Sequence, residues 1–325
     1  MKLTALLLVC ALLSINAAHI ESNYYPFEKE IYEVNRENLG WVAGRQKRFE
    51  GHTEEYIAGL CGVKGSIPLP LSDLPVLEDI PDMFDSRTQW PDCKTIGLIE
   101  DQSNCGSCWA FGATESMSDR YCIHMKMHLL ISAANLMECC RNCGNGCEGG
   151  FLGAAWNYWK QEGLVTGGLY NPSATESDTC QPYPLPSCEH HINGSKPACP
   201  SKIAKTPECV HTCHAGYPTS YEQDLHYGES AYSVRRRVAE IQTEIMTNGP
   251  VEAAFTVYAD FPAYKSGVYK RHSLRQLGGH AVKMIGWGEE DGIPYWLIAN
   301  SWNSDWGDHG YFKIVRGQDE CGIES

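Results

Sequence analysis

The sequence predicts an α+β fold of two lobes, a helical lobe followed by a β lobe, with a cleft where they meet. Three observations predict it. From Cys108 to about Trp159 the period is helical, through Phe111, Glu115, Met117 and Tyr121, then Leu136 and Met137, then Ala154 to Trp159. Beyond Val251 the pattern turns to short β-branched and aromatic runs such as Phe255–Tyr258 and Tyr311–Val315. The chain has 325 residues, long enough for two lobes and too long for a miniprotein held by disulfides alone.

In chain order, Met1-Lys2, an apolar run from Leu3 to Ile15 and Asn16-Ala17-Ala18 read as a signal peptide over residues 1–18. The run is too short to span a membrane, and no later segment is apolar for long enough. Residues 19–79 read as a propeptide, weakly helical from Tyr32 to Arg36. It ends in an extended linker rich in Pro and Leu, Ile67 to Val76, the sort of exposed stretch that is readily cut. Ile80-Pro81-Asp82-Met83-Phe84-Asp85-Ser86-Arg87 looks like the start of the mature domain, 80–325.

The formal net charge of −14 argues against nucleic acid or an anionic membrane surface as partner. Sixteen cysteines behind a signal peptide imply an oxidising route and a disulfide framework. Cys10 leaves with the signal and Cys61 lies in the propeptide; spacing alone does not give the pairing of the rest. Cys140-x-x-Cys143 close to Cys147 also fits a structural zinc site, but secreted thiols with this many partners usually oxidise. No metal or cofactor is expected.

The chemistry starts in Asp101-Gln102-Ser103-Asn104-Cys105-Gly106-Ser107-Cys108-Trp109-Ala110-Phe111-Gly112. Gly106-Ser107 makes a tight turn into a helix, so Cys108 stands at a helix N-terminus, where unpaired N–H groups and the dipole favour a thiolate. The Gln102 amide and the Cys108 backbone N–H are two donors for a developing oxyanion, which acyl transfer requires. Downstream, Gly278-Gly279-His280-Ala281-Val282 puts a histidine in an apolar strand, placed to act as a base. Asn300 ends the strand Tyr295–Ala299, and its amide oxygen would fix the imidazole tautomer, with Trp302 shielding that hydrogen bond.

These segments resemble a papain-family cysteine protease, and more narrowly the cathepsin B group, over nearly everything from Ile80 to the last residue. Trp41-x-Ala43-Gly44 and Leu60-Cys61-Gly62 resemble the short prosegment of that group. The resemblance implies a papain-like fold with a β-barrel-like second lobe. It makes Cys108 the nucleophile, His280 the base, Asn300 its orienter and Gln102 the oxyanion donor. It pairs Cys93–Cys122, Cys105–Cys147, Cys139–Cys209, Cys140–Cys143, Cys180–Cys213 and Cys188–Cys199. Gly149 and Gly150 would form a cleft wall that pairs with the substrate backbone, while Phe151, Leu152, Ala254 and Ala281 would line a second pocket.

His280 and Asn300 follow Cys108 by 172 and 192 residues, more than the ~130–150 of the papain pattern. The richest candidate insertion, Cys188–Cys199, resembles an occluding loop. His190 and His191 would hold a substrate's C-terminal carboxylate and make the enzyme a dipeptidyl carboxypeptidase as well as an endopeptidase. His190 would pair with Asp101 when protonated, and Lys196, where the family commonly has arginine, with Asp305. Asn193-Gly194-Ser195 is a glycosylation sequon in the same loop. Family members continue several residues past Ser325, which reads as a truncated C-terminus. The expected protein is a monomeric zymogen, lysosomal or secreted (for example into a gut lumen), acting on proteins and peptides and open to cystatin-type inhibitors. The alternative, a non-catalytic secreted binding or matrix protein of the same fold, would be expected to lack the nucleophile.

Overall fold

The computed structural model describes residues 24–65, 67–170, 178–187 and 200–325. The segment expected to be a signal peptide and the whole 188–199 segment, with Cys188, His190, His191, Asn193, Lys196 and Cys199, lie outside the described residues.

The helical lobe is built on α4 (Cys108–Met125), which is buried on nearly every side, as a central helix must be. Around it pack α5 (Ala133–Cys139), whose N-cap Ser132 hydroxyl accepts the Asn135 N–H at 3.0 Å, and α6 (Leu152–Gln161). Trp109, Phe111, Met117, Leu136, Met137 and Trp159 form this lobe's core. Disulfides Cys105–Cys147, Cys139–Cys209, Cys140–Cys143 and Cys180–Cys213 tie its loops, and Cys93–Cys122 fastens the chain before α4 to the helix. Cys61, Cys108 and Cys321 are free thiols.

After α7 (Val238–Asn248) comes the β lobe: β3 (Val251–Tyr258), β4 (Tyr264–Tyr269), β5 (Gln276–Glu290), β6 (Ile293–Ala299) and β7 (Tyr311–Val315). Two short strands from upstream join them, β1 (Trp41–Ala43) and β2 (Phe84–Asp85), giving the order β1-β4-β7-β6-β5-β2 with β3 also on β5. Phe255, Phe261, Trp296, Trp302, Trp306 and Phe312 fill this lobe.

The barrel-like closure expected of the lobe is not reached, and the sheet is open. Fifteen-residue β5 pairs with β3 along its first part and with β2 along its second, so no single partner runs its length. The far end of the sheet is β1, a three-residue strand. β1 comes from the segment ahead of residue 80, which completes the sheet rather than lying loosely on it.

The segment before residue 66 forms α1 (Glu28–Glu37) and α2 (Glu54–Gly59) as well as β1, and buries Phe27, Val34, Trp41, Phe49, Ile57 and Leu60 in the β-lobe core. The helix expected over 32–36 is therefore longer at both ends. The Pro/Leu linker is less free than its composition suggests. Ser72 N–H bonds to the Ser233 carbonyl at 2.9 Å, Ser233 N–H to that of Pro70 at 2.8 Å, and Leu77 N–H to Thr243 Oγ1 at 3.1 Å. Glu78 and Asp79, just beyond, are exposed.

Candidate active site

Cys108 opens α4 on the helical wall of the cleft, and His280 stands in β5 on the other; both are fully buried. His280 Nε2 lies 2.7 Å from Asn300 Oδ1. The same Oδ1 accepts the Ser301 backbone N–H at 2.8 Å, which identifies that atom as the oxygen, so the imidazole must donate to it through Nε2–H. Nδ1 is thereby the basic nitrogen, and it has no hydrogen-bond partner among the described residues. Trp302 packs its ring 4.7 Å from the imidazole and is itself buried.

The loop holding Asp101 and Gln102 is stitched to the strand end carrying Asn300. Asp101 bridges Trp302, and Gln102 N–H bonds to the Ser301 carbonyl at 2.9 Å. Gln102 Oε1 accepts from Ser301 Oγ at 2.8 Å, which turns the amide nitrogen inward. That nitrogen donates to Cys105 O at 2.7 Å and to the propeptide's Leu60 O at 2.8 Å.

The segment from Leu60 to Lys64 crosses the cleft between the two walls. Gly62 N–H points at Cys108 Sγ, 3.1 Å away. Gly150 N–H donates to Gly62 O at 2.8 Å, and Lys64 N–H to Gly150 O at 2.9 Å. On the opposite side Val63 N–H reaches Gly279 O at 2.9 Å. The chain touches both walls because glycine faces glycine. A Cβ on Gly62 would stand 1.8 Å from Gly106 O, and one on Gly150 would meet the Trp109 ring at 2.5 Å.

Leu152 and Ala254 line a cavity of about 530 Å³ beside this strand, together with Trp156, Glu252 and the propeptide's Val63 and Ile67. Phe151 is half-buried beside Gly65, and Ala281 pairs with Ala254 in the β3–β5 register. Gly149 carries a positive φ of 106° at the end of a 3-10 turn that leads into Gly150.

The expected partner of Asp101, His190, lies outside the described residues; among the described ones Asp101 has partners that the sequence did not suggest. Its Oδ1 takes the propeptide's Arg48 guanidinium at 2.9 Å and the Ser103 N–H at 2.8 Å, and its Oδ2 takes the Asn303 amide at 3.0 Å. Arg48 also donates to Ser103 O at 2.9 Å, and both members of the ion pair are buried. Burial pushes the Asp101 carboxyl up, but Arg48, Ser103 and Asn303 outweigh it and hold it below the usual range. Asp305 is exposed, within electrostatic reach of Arg48 and Lys265. Arg48 gave no signal in the sequence, because one basic residue of the run Arg45-Gln46-Lys47-Arg48 reads as a solvated one. Its neighbour Phe49 packs edge-on against Trp302, with ring centroids 5.4 Å apart.

Under this cover the pair is electrically silent. Burial pushes the Cys108 thiol up to about 11, against the N–H groups of Ala281 and Gly62 that lower it. Burial pulls His280 down to about 4; Asn300 opposes the shift and the charge of Arg48 adds to it. A neutral thiol beside a neutral imidazole is the resting form.

Comparison with known proteins agrees with this geometry. Residues 80–325 match the family model described as papain family cysteine protease. The chain is 50% identical over 297 residues to a cathepsin B-like cysteine proteinase of Schistosoma japonicum, covering 89% of this chain and 85% of that one. It is 47% identical over 335 aligned positions to cathepsin B-like cysteine proteinase 5 of Caenorhabditis elegans, covering 99% and 95%. Among solved structures it is similar to procathepsin B S9 of Trypanosoma congolense, with TM-score 0.75, 36% identity, and coverage of 91% of this chain and 94% of that one. No helix among the described residues is long and apolar enough to cross a membrane.

Proposed function

The chain belongs to the papain family of cysteine proteases, and we propose that it is a zymogen of cathepsin B type. Released from residues 19–79, it cleaves internal peptide bonds and removes dipeptides from free C-termini, in a lysosome or outside the cell. Cys108 Sγ attacks the scissile carbonyl carbon as its proton passes to His280 Nδ1. The Gln102 amide and the Cys108 backbone N–H hold the oxyanion, and Asn300 keeps the imidazole in register through Nε2–H. Collapse of the adduct breaks the C–N bond, His280 gives its proton to the departing amine, and water then hydrolyses the thioester. Gly149 and Gly150 pair with the substrate backbone, and Phe151, Leu152, Ala254 and Ala281 line the second pocket. His190 and His191 hold the terminal carboxylate.

One observation carries this reading. A peptide strand already lies in the cleft, its Leu60 carbonyl on the Gln102 amide and its Gly62 N–H on the Cys108 sulfur. The same contacts account for the inhibition: the Gly62 N–H faces the sulfur, and the strand occupies the place of a substrate.

The test is an irreversible thiol-directed peptide probe, with hydrolysis of paired substrates that differ only in a free or amidated C-terminus. Processed protein should label and Cys108→Ala should not, with its fold intact. Retention of about a tenth of the parent's hydrolysis by Cys108→Ala would remove the nucleophile assignment, since loss of a nucleophile costs far more. Unlabelled processed protein would favour the binding or matrix reading. His190→Ala should raise the ratio of internal to C-terminal cleavage at acidic pH, and His191→Ala should weaken chiefly substrates with a free carboxylate. An unchanged ratio in both would leave residues 188–199 as surface only.

A further inference from the structure

Behind the catalytic centre, where the lobes meet, lies a buried group of charges that the mechanism above does not use. Lys283 is on β5, three residues after His280, and it is fully buried. Its ammonium sits 2.9 Å from Asp119 Oδ2 and donates to the Thr95 carbonyl at 3.3 Å. Asp119 is on α4, eleven residues after Cys108, and it too is fully buried.

Glu115, one turn nearer Cys108 on the same helix, and Glu100, two residues before Gln102, are buried within electrostatic reach of the same ammonium. Arg120 acts on Asp119, and Glu252 on β3 acts on Glu115 and stands opposite Lys283 in the strand register. One ammonium thus sits among the three elements that carry the nucleophile, the base and the amide donor.

A cation buried this deeply is costly unless it is paired, so a lobe interface built only for adhesion would do better with apolar side chains. A charged contact is directional where an apolar one can slide. We propose that Lys283 is a positioning residue. Its contact with Asp119 fixes the register of β5 against α4, and so the placement of His280 relative to Cys108, while its donation to the Thr95 carbonyl ties the segment leading to Gln102 to the same point. Displacements of about 1 Å at such a distance from the chemistry cost on the order of a hundredfold in rate.

The proposal rests on Cys108 and His280 being the reacting pair, and the experiment separates the two ideas. Processed protein, obtained from the full chain, is titrated with iodoacetamide across pH, and kcat and KM are measured on one peptide. Alkylation of the parent at acidic pH, where an ordinary thiol is inert, reports the Cys108–His280 pair itself; its absence would overturn the pair and the proposal together. Given that signal, Lys283→Met should lower both acid-pH alkylation and kcat by about tenfold or more, leave KM within about twofold, and be rescued by Lys283→Arg. Parent values of both in folded Lys283→Met would show that the residue serves stability alone and overturn the proposal. If Lys283→Met does not fold, Asp119→Asn keeps the ammonium and the shape. It should shift alkylation and kcat in the same direction, and parent behaviour there overturns the proposal equally.

Discussion

Two buried ion pairs flank the active cleft, and they are built to opposite rules. Arg48–Asp101 joins the propeptide to the peptidase domain with charges matched one to one, and each oxygen of Asp101 has a donor. Lys283–Asp119 joins the two lobes of the peptidase domain and is outnumbered, with Glu115 and Glu100 crowding one cation. A matched pair is strong while both partners are present and leaves a bare charge when one is removed, which suits a latch. The crowded cluster has no removable partner. Desolvation and mutual repulsion push Glu115 well up and Glu100 to about 7, against the pull of Lys283, so the surplus carboxyls stay protonated in acid.

The sharpest way to break the comparison is Arg48→Met. Asp101 would be left buried beneath the propeptide without its cation, at a cost of about 3–5 kcal/mol to docking. Uncut Arg48→Met precursor should label with the thiol-directed probe at least ~100-fold faster than uncut parent, since each 1.4 kcal/mol is a factor of ten. Equal labelling rates would mean that the latch is carried elsewhere.

Next is the pH dependence of the latch. His280 is held at about 4 under the covering strand, below the ordinary imidazole value, so docking buries it neutral and weakens as pH falls toward 4. Asp101, also held low, releases its share at still lower pH, as its carboxylate is protonated. Probe labelling of a cleavage-blocked precursor should therefore rise as pH falls toward ~4. A flat profile would refute the linkage.

Glu100→Gln sharpens the other side of the comparison. The Glu100 carboxyl titrates higher in the folded protein than in the unfolded chain, so the parent loses stability as pH rises from about 4.5 through about 7. The neutral isostere should be close to parent at pH ~5 and gain about 1–2 kcal/mol on it by pH ~8, read as a shift in thermal midpoint. A loss at both pH values would show that the carboxylate form is needed.

The smallest effect belongs to the rim. Arg275 pairs with Glu30 of α1 and with Glu54 of α2, but it is partly exposed, so Arg275→Gln should weaken docking by less than about 1 kcal/mol. Labelling of the uncut precursor should change by no more than ~5-fold, and this response alone of the four should vanish in high salt.

Much of this protein was legible in its sequence, for local reasons. A cysteine after a Gly-Ser turn at a helix start, a histidine after two glycines in an apolar strand and an asparagine at a strand end each carry their geometry within a few residues. The helical and β-rich halves follow from periodicity in the same way. Other features depended on contacts between distant segments, and no local pattern encodes those. The lobe's sheet stays open because one edge of β5 is divided between two partners, one of them only two residues long. Arg48 reaches Asp101 across 53 residues, and Lys283 reaches Asp119 from another lobe. Burial decided the protonation states: the Cys108 thiol and the His280 imidazole are neutral beneath Gly62, because a charge with no water around it costs more than its neighbours return. Residue types fixed what chemistry was possible; only the packing of segments far apart in the chain decided that, in this form, it is held off.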